Sequence, residues 1–454
     1  MTNLRETIDH YHSLLDPETA FETHEQLTDQ LRRRGLFFGE RPLSTVLRPR
    51  FIDPGQYRAL QVAVQAVMPA FQKAHDAAMA DASFRAQFRL NDWEEELIQV
   101  DPGFRAPSPT SRMDTFFDEE TTLWLTEFNA ETPAAIAYTD VLSEVYFGLP
   151  VMREFSKFYE MRPLFGRHLM LHALIDSYRQ WGGRERPRIA ILDWREVPTY
   201  NEFVLFRDYF ELQGYDCIIA DPREVTYENN RLMADGKQIH IIYKRVLLSE
   251  LVDQGSLGHP VIRAVRDHAV CMVNPFRCKI LHKKASLAVL SDETNAHMFT
   301  ADERAVIEKN IPWTRMVEDR KTTYEGRQVD LLSFLTKNKD DFVIKPNDEY
   351  GGKGVVLGWE SNSIEWETTL TNALEEPSIV QKKVPVPKIP YASWVDGKVE
   401  IYDRMIDTNP YIWYGSYVDG CLTRLSTEAL LNVTAGGGSS VPAFVVEKRE
   451  LGNP

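Results

Sequence analysis

Two short polar runs hold side chains that could bind a metal ion next to phosphate groups. Arg112 and Asp114 are two residues apart, and so are Glu127 and Asn129 in TEFNAETP. In a β-strand, residues i and i+2 point to the same face, so each pair would project together. Carboxylate and amide oxygens are hard ligands of the kind that Mg²⁺ takes when it bridges phosphates. The runs therefore predict a metal site at Asp114, Glu127 and Asn129, with the Arg112 cation beside it.

A glycine-rich segment, FVIKPNDEYGGKGV, is predicted to form a strand, a turn and a second strand. Gly351, Gly352 and Gly354 let the backbone approach a ligand closely and point N–H groups at phosphates. Lys345 ends the first strand and could reach a phosphate as a point charge, and Lys353 lies in the turn. The P-loop signature is absent. Two simpler interpretations stay open: an ordinary glycine hairpin here, and a surface hairpin with solvated charges for the acidic runs.

Further polar residues could extend such a site. A predicted helix is preceded by three lysines, Lys279, Lys283 and Lys284. Cations at a helix start oppose the helix dipole, which suggests that these lysines contact a phosphate. A solvated basic patch explains them equally well. Gln381 ends a predicted strand and could face an adenine edge or solvent. The sequence leaves open whether four later residues belong to the site: Asp403, Asp407, Arg424 and Asn432.

The elements that would carry these residues follow from periodicity and turn residues. Residues 1–104 are predicted to be a helical N-terminal region, and another helical pattern covers 151–183. Strand–helix–strand alternation over 186–275 predicts a small parallel α/β unit. From Asp341 onward, short segments rich in β-branched and aromatic residues predict an antiparallel sheet. The glycine run 436–438 is predicted to be a lid or a loop.

Bulk composition excludes several classes of protein. The chain has 454 residues, of which 43% are hydrophobic, enough for two or three domains. Its net charge of −15 would repel a phosphate backbone, so general nucleic-acid binding is not expected. No apolar run is long enough for a signal peptide or a membrane span. The cysteines form no CxxC pair, which favours a reduced, cytoplasmic protein.

The order of these motifs resembles that of the circularly permuted ATP-grasp proteins. The matching features are R-x-D, then EFNAETP, then KA at a helix start, then VIKP before a glycine-containing loop. The likeness is to the synthetase domain only of glutathionylspermidine synthetase and, more distantly, to eukaryotic-type glutathione synthetase. It covers about residues 105–446. It implies an α/β (α+β) fold, a circularly permuted ATP-grasp with its metal-binding residues early in the chain.

The resemblance also implies a role for each site residue and a division into domains. Asp114, Glu127 and Asn129 would hold Mg²⁺, and Arg112 would contact the transferred phosphoryl group. The groups implied to bind ATP are Lys284, Lys345 and the loop residues Gly351, Gly352, Lys353 and Gly354, with Gln381 near the adenine. The implied regions are a helical part (1–104), the first part of the ATP-grasp core with the metal-binding strands (105–185), a small substrate-type α/β subdomain (186–275), and a nucleotide-binding part with the glycine loop and lid (276–454).

The activity that this resemblance implies is ATP- and Mg²⁺-dependent ligation of a carboxylate to an amine. An acyl phosphate would form first, and ADP and phosphate would be released. The substrates would be a small-molecule or peptide carboxylate and an amine, with no nucleic-acid or membrane partner. Two alternatives stay open: a non-catalytic ATP-binding protein of the same fold, and a small-molecule kinase. The sequence leaves both substrates and the formation of a homo-oligomer undetermined.

Overall fold

The computed structural model of the protein describes residues 3–427 and 438–449. Residues 3–104 are mainly helical. The longest helix starts at Pro54, where the Asp53 side chain accepts the Gln56 N–H and Pro54 supplies a preset φ. The elements of this part are α1 (Leu4–Ser13), α2 (Pro17–Arg33), β1 (Phe37–Phe38), β2 (Arg41–Pro42), β3 (Arg50–Ile52), α3 (Pro54–Ala80), α4 (Ala82–Arg85) and α5 (Asp92–Leu97).

The next part begins with an antiparallel hairpin and continues with three helices. The prediction of one helical pattern over 151–183 is wrong, because a strand divides it. That strand pairs with a segment near residue 445, a distant partner that local periodicity cannot reveal. The elements are β4 (Thr110–Phe117), β5 (Leu123–Asn129), α6 (Ile136–Phe147), α7 (Pro150–Phe155), β6 (Tyr159–Pro163) and α8 (Arg167–Trp181).

Residues 186–275 contain a parallel sheet covered by helices. Its elements are β7 (Ile189–Leu192), α9 (Tyr200–Leu212), β8 (Cys217–Ala220), β9 (Thr226–Glu228), β10 (Arg231–Ala234), β11 (Lys237–Gln238), β12 (Ile241–Lys244), α10 (Leu248–Gly255), α11 (Pro260–Arg266) and β13 (Cys271–Val273). The strand order is β13–β12–β7–β8, and every pair in it is parallel. The chain therefore leaves β7 toward one edge and β12 toward the other.

The remaining chain builds two antiparallel sheets of its own and completes two further sheets that contain earlier strands. Its helices are α12 (Cys278–His282), α13 (Ala285–Ser291), α14 (Ala301–Asn310), α15 (Leu331–Lys337) and α16 (Ser363–Glu375). Its strands are β14 (Thr314–Met316), β15 (Lys321–Tyr324), β16 (Arg327–Asp330), β17 (Phe342–Pro346), β18 (Val356–Leu357), β19 (Ser378–Lys382), β20 (Lys388–Val395), β21 (Lys398–Ile406), β22 (Asn409–Trp413), β23 (Tyr417–Ser426), β24 (Ser439–Val441) and β25 (Ala443–Lys448).

Sheet pairing joins segments that are far apart in sequence. One antiparallel sheet has the order β14–β19–β17–β18, and a larger one runs β20–β21–β23–β22–β4–β5, so the early β4–β5 hairpin joins late strands. β25 lies between β3 and β6. Of the predicted lid, Gly436 and Gly437 lie outside the described residues, as does Asn432. No helix in the described part of the chain has the length and apolar character needed to cross a membrane.

Apolar packing fixes the long helix α3 against the β4–β5 hairpin. Its residues from Tyr57 to Ala78 share one buried cluster with Met113, Leu125 and Phe128. The rings of Phe71 and Phe128 lie 4.7 Å apart in a tilted arrangement. The N-terminal helical part therefore forms the back of the sheet whose other face carries the candidate site.

A set of charged residues, all of them buried except the partly exposed Asp348 and here called the buried ionic cluster, holds five parts of the chain together. Its members are Glu94 in α5, Glu131 after β5, Lys244 at the end of β12, Lys279 and Lys283 around α12, and Asp348 after β17. Lys279 Nζ lies 3.2 Å from Glu131 and 2.6 Å from Asp348, and Lys244 Nζ lies 3.1 Å from Glu131. Lys283 Nζ lies 2.8 Å from Glu94 and 2.9 Å from Asp348. Each carboxylate of the cluster is thus paired with at least one lysine.

Glu131 is the most connected carboxylate of this cluster and is fully buried. We expect Glu131→Gln to lower the free energy of unfolding by about 3–5 kcal/mol, because it leaves Lys244 and Lys279 buried with too little negative charge. Urea unfolding measures the change. The exposed control Glu228→Gln should shift stability by no more than about 0.5 kcal/mol. Equal midpoints for the two variants would contradict a structural role for the cluster.

Candidate active site

The predicted metal and phosphoryl residues lie side by side on the β4–β5 hairpin. The register places Arg112 opposite Asn129 and Asp114 opposite Glu127, with an irregularity directly after Asp114. All four side chains line one cavity of about 660 Å³. The i, i+2 spacing on each strand and the cross-strand register therefore bring the four groups together.

Asp114 is held by two arginines. Arg112 donates from Nε to Oδ1 at 2.6 Å and from Nη2 to Oδ2 at 3.1 Å, and Arg424 Nη2 donates to Oδ2 at 2.8 Å. Arg424 is in turn fixed by Asp407, whose Oδ2 lies 2.7 Å from Nε. Burial alone would raise the pKa of Asp114, but the charges of Arg112 and Arg424 lower it to about 2. Asp114 is therefore ionised at any physiological pH.

Glu127 faces two lysines of the later chain. Lys284 Nζ lies 3.1 Å from Glu127 Oε1. Burial raises the pKa of Glu127, but the charges of Lys284 and Lys345, with the hydrogen bond from Lys284, together outweigh burial and hold the pKa below its usual value. Lys345 Nζ donates to the Thr126 carbonyl at 3.1 Å and to Gln381 Oε1 at 2.8 Å. Burial lowers the pKa of Lys345 to about 8, despite the opposing charge of Glu127.

Gln381, predicted to lie near an adenine, is almost fully buried in the structure. Its Oε1 accepts from Lys345, and its Nε2 donates to Thr314 Oγ1 at 3.0 Å. It pairs across the sheet with Val343 and lines the cavity. In this structure its side chain fixes the Lys345 ammonium group.

The glycine-rich segment is a hairpin whose turn opens into the same cavity. β17 and β18 pair antiparallel, and Gly351, Gly352 and Gly354 have φ values of +66°, +77° and +72°. A side chain at Gly354 would place Cβ 2.7 Å from Pro346 Cγ. Gly351, Gly352 and Lys353 line the cavity, whereas Gly354 lies next to Pro346 and is not among the lining residues. Glycine is thus required by the turn itself.

The base of this loop is attached by lysines to the body of the protein. Lys284 Nζ donates to the Glu349 carbonyl at 2.5 Å, next to Asp348 of the buried ionic cluster. Lys279 and Lys283 bind Asp348 and are buried. Neither sequence interpretation of these two lysines is therefore right, because they are not a solvated patch and do not line the cavity. They hold the loop, and Lys284 alone of the three reaches the site.

The oxygen donors that a Mg²⁺ ion could use here come from few residues. Within the described residues, no group of three or more His, Cys, Asp or Glu side chains is placed to hold a metal. Glu127 offers a carboxylate and Asn129 an amide oxygen. The buried Asn129 Nδ2 has no hydrogen-bond partner among the described residues, so it is a donor that a phosphate oxygen would satisfy. Both oxygens of Asp114 are occupied by arginine. This set fits a Mg²⁺ that also keeps phosphate oxygens and water as ligands, as Mg²⁺ commonly does.

Several residues that line the cavity were missed or left open by sequence reasoning. Asp407 and Arg424 belong to the Asp114 group. Asp193 and Arg245 follow β7 and β12 directly and line the same cavity, together with Glu250. The rule that ligands bind beyond the carboxyl ends of parallel strands could have identified Asp193 and Arg245. Asp403 is not among the residues that line this cavity.

Comparisons with known proteins find similarities at low sequence identity. No protein-family model matches it. It is 22% identical over 334 residues to a Frankia casuarinae protein whose name, glutamate–cysteine ligase 2-2, is itself an inferred one. That match covers 70% of this chain and 36% of the relative, so the chain spans about a third of the relative's length.

Comparison of structures gives the fold. A glutathione synthetase-like effector from Globodera pallida, solved in its apo form, is similar over 96% of this chain and 95% of its own, with a TM-score of 0.55 and 13% identity. The chain therefore shares the mixed α/β fold of this glutathione synthetase-like protein. D-alanyl-alanine synthetase A from Vibrio cholerae is similar over 50% of this chain and 68% of its own, at 10% identity. Its TM-score of 0.27 is too low to bear on the fold.

The lowered pKa of Lys345 predicts a pH-dependent effect of its replacement. Between pH about 8 and its ordinary value of 10.5, Lys345 is neutral in the folded protein and charged in the unfolded chain. The cost of burying its charge is therefore complete below pH about 8 and decreases as the pH rises above it. We expect Lys345→Met to raise the urea unfolding midpoint more, or lower it less, at pH 7.5 than at pH 9.5, because it removes the cost of the buried charge. The same effect on the midpoint at both pH values would mean that Lys345 has an ordinary pKa.

Proposed function

We propose that this chain is an ATP- and Mg²⁺-dependent carboxylate–amine ligase of the circularly permuted, glutathionylspermidine synthetase-like kind. The observation that supports this most directly is the shared cavity. In it, hard oxygen donors on β4–β5 face the lysines and the glycine loop of a separate sheet. A triphosphate between the two would meet a metal-binding set on one side and cations with backbone N–H groups on the other.

The nucleotide would lie between the β4–β5 hairpin and the β17–β18 hairpin. Lys284 and Lys345 would bind its phosphates, and the turn formed by Gly351–Gly354, with Lys353, would cover them. Gln381 would lie near the adenine and keep Lys345 in place. Because Lys345 has a pKa of about 8, an approaching phosphate would favour its charged form.

The reaction would proceed through an acyl phosphate. A carboxylate oxygen attacks the γ-phosphorus, the bond from that phosphorus to the β,γ-bridging oxygen breaks, and ADP leaves. The amine nitrogen then attacks the acyl carbon, the carbon–oxygen bond to phosphate breaks, and the nitrogen loses a proton. Amide, ADP and inorganic phosphate result. No covalent bond to the protein is required, so the side chains act by positioning and by charge.

Arg112 and Arg424 are the side chains best placed to follow the moving phosphoryl group. Both are held on Asp114, and each can exchange that carboxylate for a phosphate oxygen while keeping a charge-assisted hydrogen bond. Such an exchange would also free an Asp114 oxygen to join Glu127 and Asn129 as a metal ligand. When bound there, Mg²⁺ would neutralise charge that develops on the phosphate oxygens. The walls of the cavity would keep water from the acyl phosphate.

The order of the parts along the chain supports the permuted assignment. Glu127 and Asn129 precede Lys345, whereas linear ATP-grasp enzymes place their metal-binding residues late. We keep the division into parts at 1–104, 105–185, 186–275 and 276–454 as part of the same proposal. A cytoplasmic location agrees with four cysteines that are all buried and free of disulfides.

Glu127→Ala tests the metal and phosphoryl assignment. We expect ADP release with a pool of amino acids, peptides and polyamines to fall at least about 100-fold, the scale for loss of a well-placed electrostatic group. Mass spectrometry of the products should show an amide and no stable phosphoester. Glu120→Ala, an exposed residue at the turn of the same hairpin, is the control and should keep its activity. A turnover number near that of wild type in Glu127→Ala would exclude the assignment.

Lys345→Met tests the nucleotide site without need for a substrate. Calorimetric titration with a non-hydrolysable Mg–ATP analogue should show weaker binding by about tenfold or more, because the variant cannot donate a charge-assisted hydrogen bond to a phosphate. Lys337→Met on α15 is exposed and should bind like wild type. Unchanged affinity in Lys345→Met would leave the glycine segment as an ordinary hairpin, and no binding by folded wild type would remove the ligase proposal.

A further inference from the structure

The end of the cavity beyond the parallel sheet has its own chemistry. Asp193 follows β7 and Arg245 follows β12, and these neighbouring strands are paired through Leu192 and Lys244. The chain leaves β7 toward β8 and leaves β12 toward β13, so the two side chains flank the point where the strand order reverses. In open parallel sheets, ligands bind beyond the carboxyl ends of the strands at this point.

Two carboxylates at this end accept hydrogen bonds from neutral donors. Asp193 is 7% exposed and accepts a hydrogen bond from the Trp194 N–H at 2.8 Å. Glu250 accepts from Trp194 Nε1 at 3.0 Å and from the Leu247 N–H at 3.2 Å. Within the described chain neither forms an ion pair. A carboxylate that is nine-tenths buried and unpaired is costly unless a ligand supplies the opposite charge.

The nearest cation is already committed elsewhere. Arg245 Nη1 donates to Glu202 Oε2 at 3.0 Å, and both side chains are buried. Its Nε is buried with no partner in the described residues. Lys244 in turn is paired with Glu131. With these pairs set aside, Asp193 and Glu250 give the wall of the cavity beyond the parallel sheet unpaired negative charge, in the same cavity that Lys284 and Lys345 line.

Both acids also face the glycine loop. Burial raises the pKa of Tyr350, and the charges of Glu250 and Asp193 add to that rise, so the loop tyrosine lies within range of both. Burial likewise raises the pKa of Asp193 to about 6, with Arg245 opposing. A cation between the two acids would therefore lie beside the loop that covers the proposed phosphate site.

We infer that Asp193 and Glu250 form a subsite for a primary ammonium group of a substrate. This inference rests on the proposed function for its place in the reaction, but the binding itself does not require ATP. Two sources share the chemistry: an amine that carries no neighbouring carboxylate, and the α-amino group of an amino acid or peptide. In the second case Arg245, whose Nε has no partner in the described residues, would bind the carboxylate of that amino acid or peptide.

The test uses the full chain and small probes observed by saturation-transfer NMR. The probes are 1,4-diaminobutane, glycine and the uncharged 1,4-butanediol. We expect at least one of the two amines to bind wild type and the diol not to bind. Asp193→Asn combined with Glu250→Gln should weaken amine binding by about tenfold or more, since both substitutions remove a charged acceptor of the ammonium group. Glu211→Gln, an exposed acid on α9, is the matched control and should bind like wild type.

The outcomes distinguish the two sources of the ammonium group, and they distinguish the subsite from the proposed ligase function. Stronger binding of 1,4-diaminobutane assigns the subsite to an amine without a carboxylate, and stronger binding of glycine assigns it to an α-amino group. Binding of the Mg–ATP analogue should be unchanged in the double variant. Amine binding in a wild type that does not bind the analogue would remove the ligase proposal and keep the subsite. Absence of amine binding in wild type, equal affinity in the double variant, or equal binding of the diol would overturn the inference.

Discussion

The buried ionic cluster is the constraint on which the arrangement of the cavity depends. Glu131 follows the strand that carries Glu127 and Asn129, Lys244 precedes Arg245, and Asp348 begins the glycine loop. One lysine, Lys279, contacts both Glu131 and Asp348. Charges removed from water must remain paired, so a shift of any of these segments would break a pair at considerable cost. The cluster thereby fixes the distance between the metal-binding strand, the parallel sheet and the loop.

A second consequence concerns the charges that remain for a ligand in the cavity. Glu131 and Asp348 neutralise the buried lysines of the cluster, whereas Lys284 and Lys345 line the cavity. Glu202 neutralises Arg245, and Asp193 and Glu250 form no ion pair within the described chain. A cavity that holds both cations and unpaired acids suits a ligand that carries both phosphate and ammonium groups, or two ligands that each carry one.

The site could be predicted from sequence where its residues are neighbours along a strand. The i, i+2 spacing placed Arg112 with Asp114 and Glu127 with Asn129, and the glycines required a turn before the structure was known. Prediction was incomplete where long-range pairing decides the outcome. The strand Tyr159–Pro163 was missed because its partner lies near the other end of the chain. Both predictions for Lys279 and Lys283 were wrong because these lysines are buried against acids from three other segments of the chain, which local sequence does not reveal.

The position of β25 between β3 and β6 bears on how the chain acquires its fold during synthesis. β3 and β6 are among the earlier elements to leave the ribosome, yet the strand that joins them is made late. Until then their edges carry unsatisfied backbone donors and acceptors and apolar surface, including Phe51. The N-terminal part therefore lacks this strand pairing until β25 has been made, and the pairing itself is a long-range contact of the kind that forms slowly.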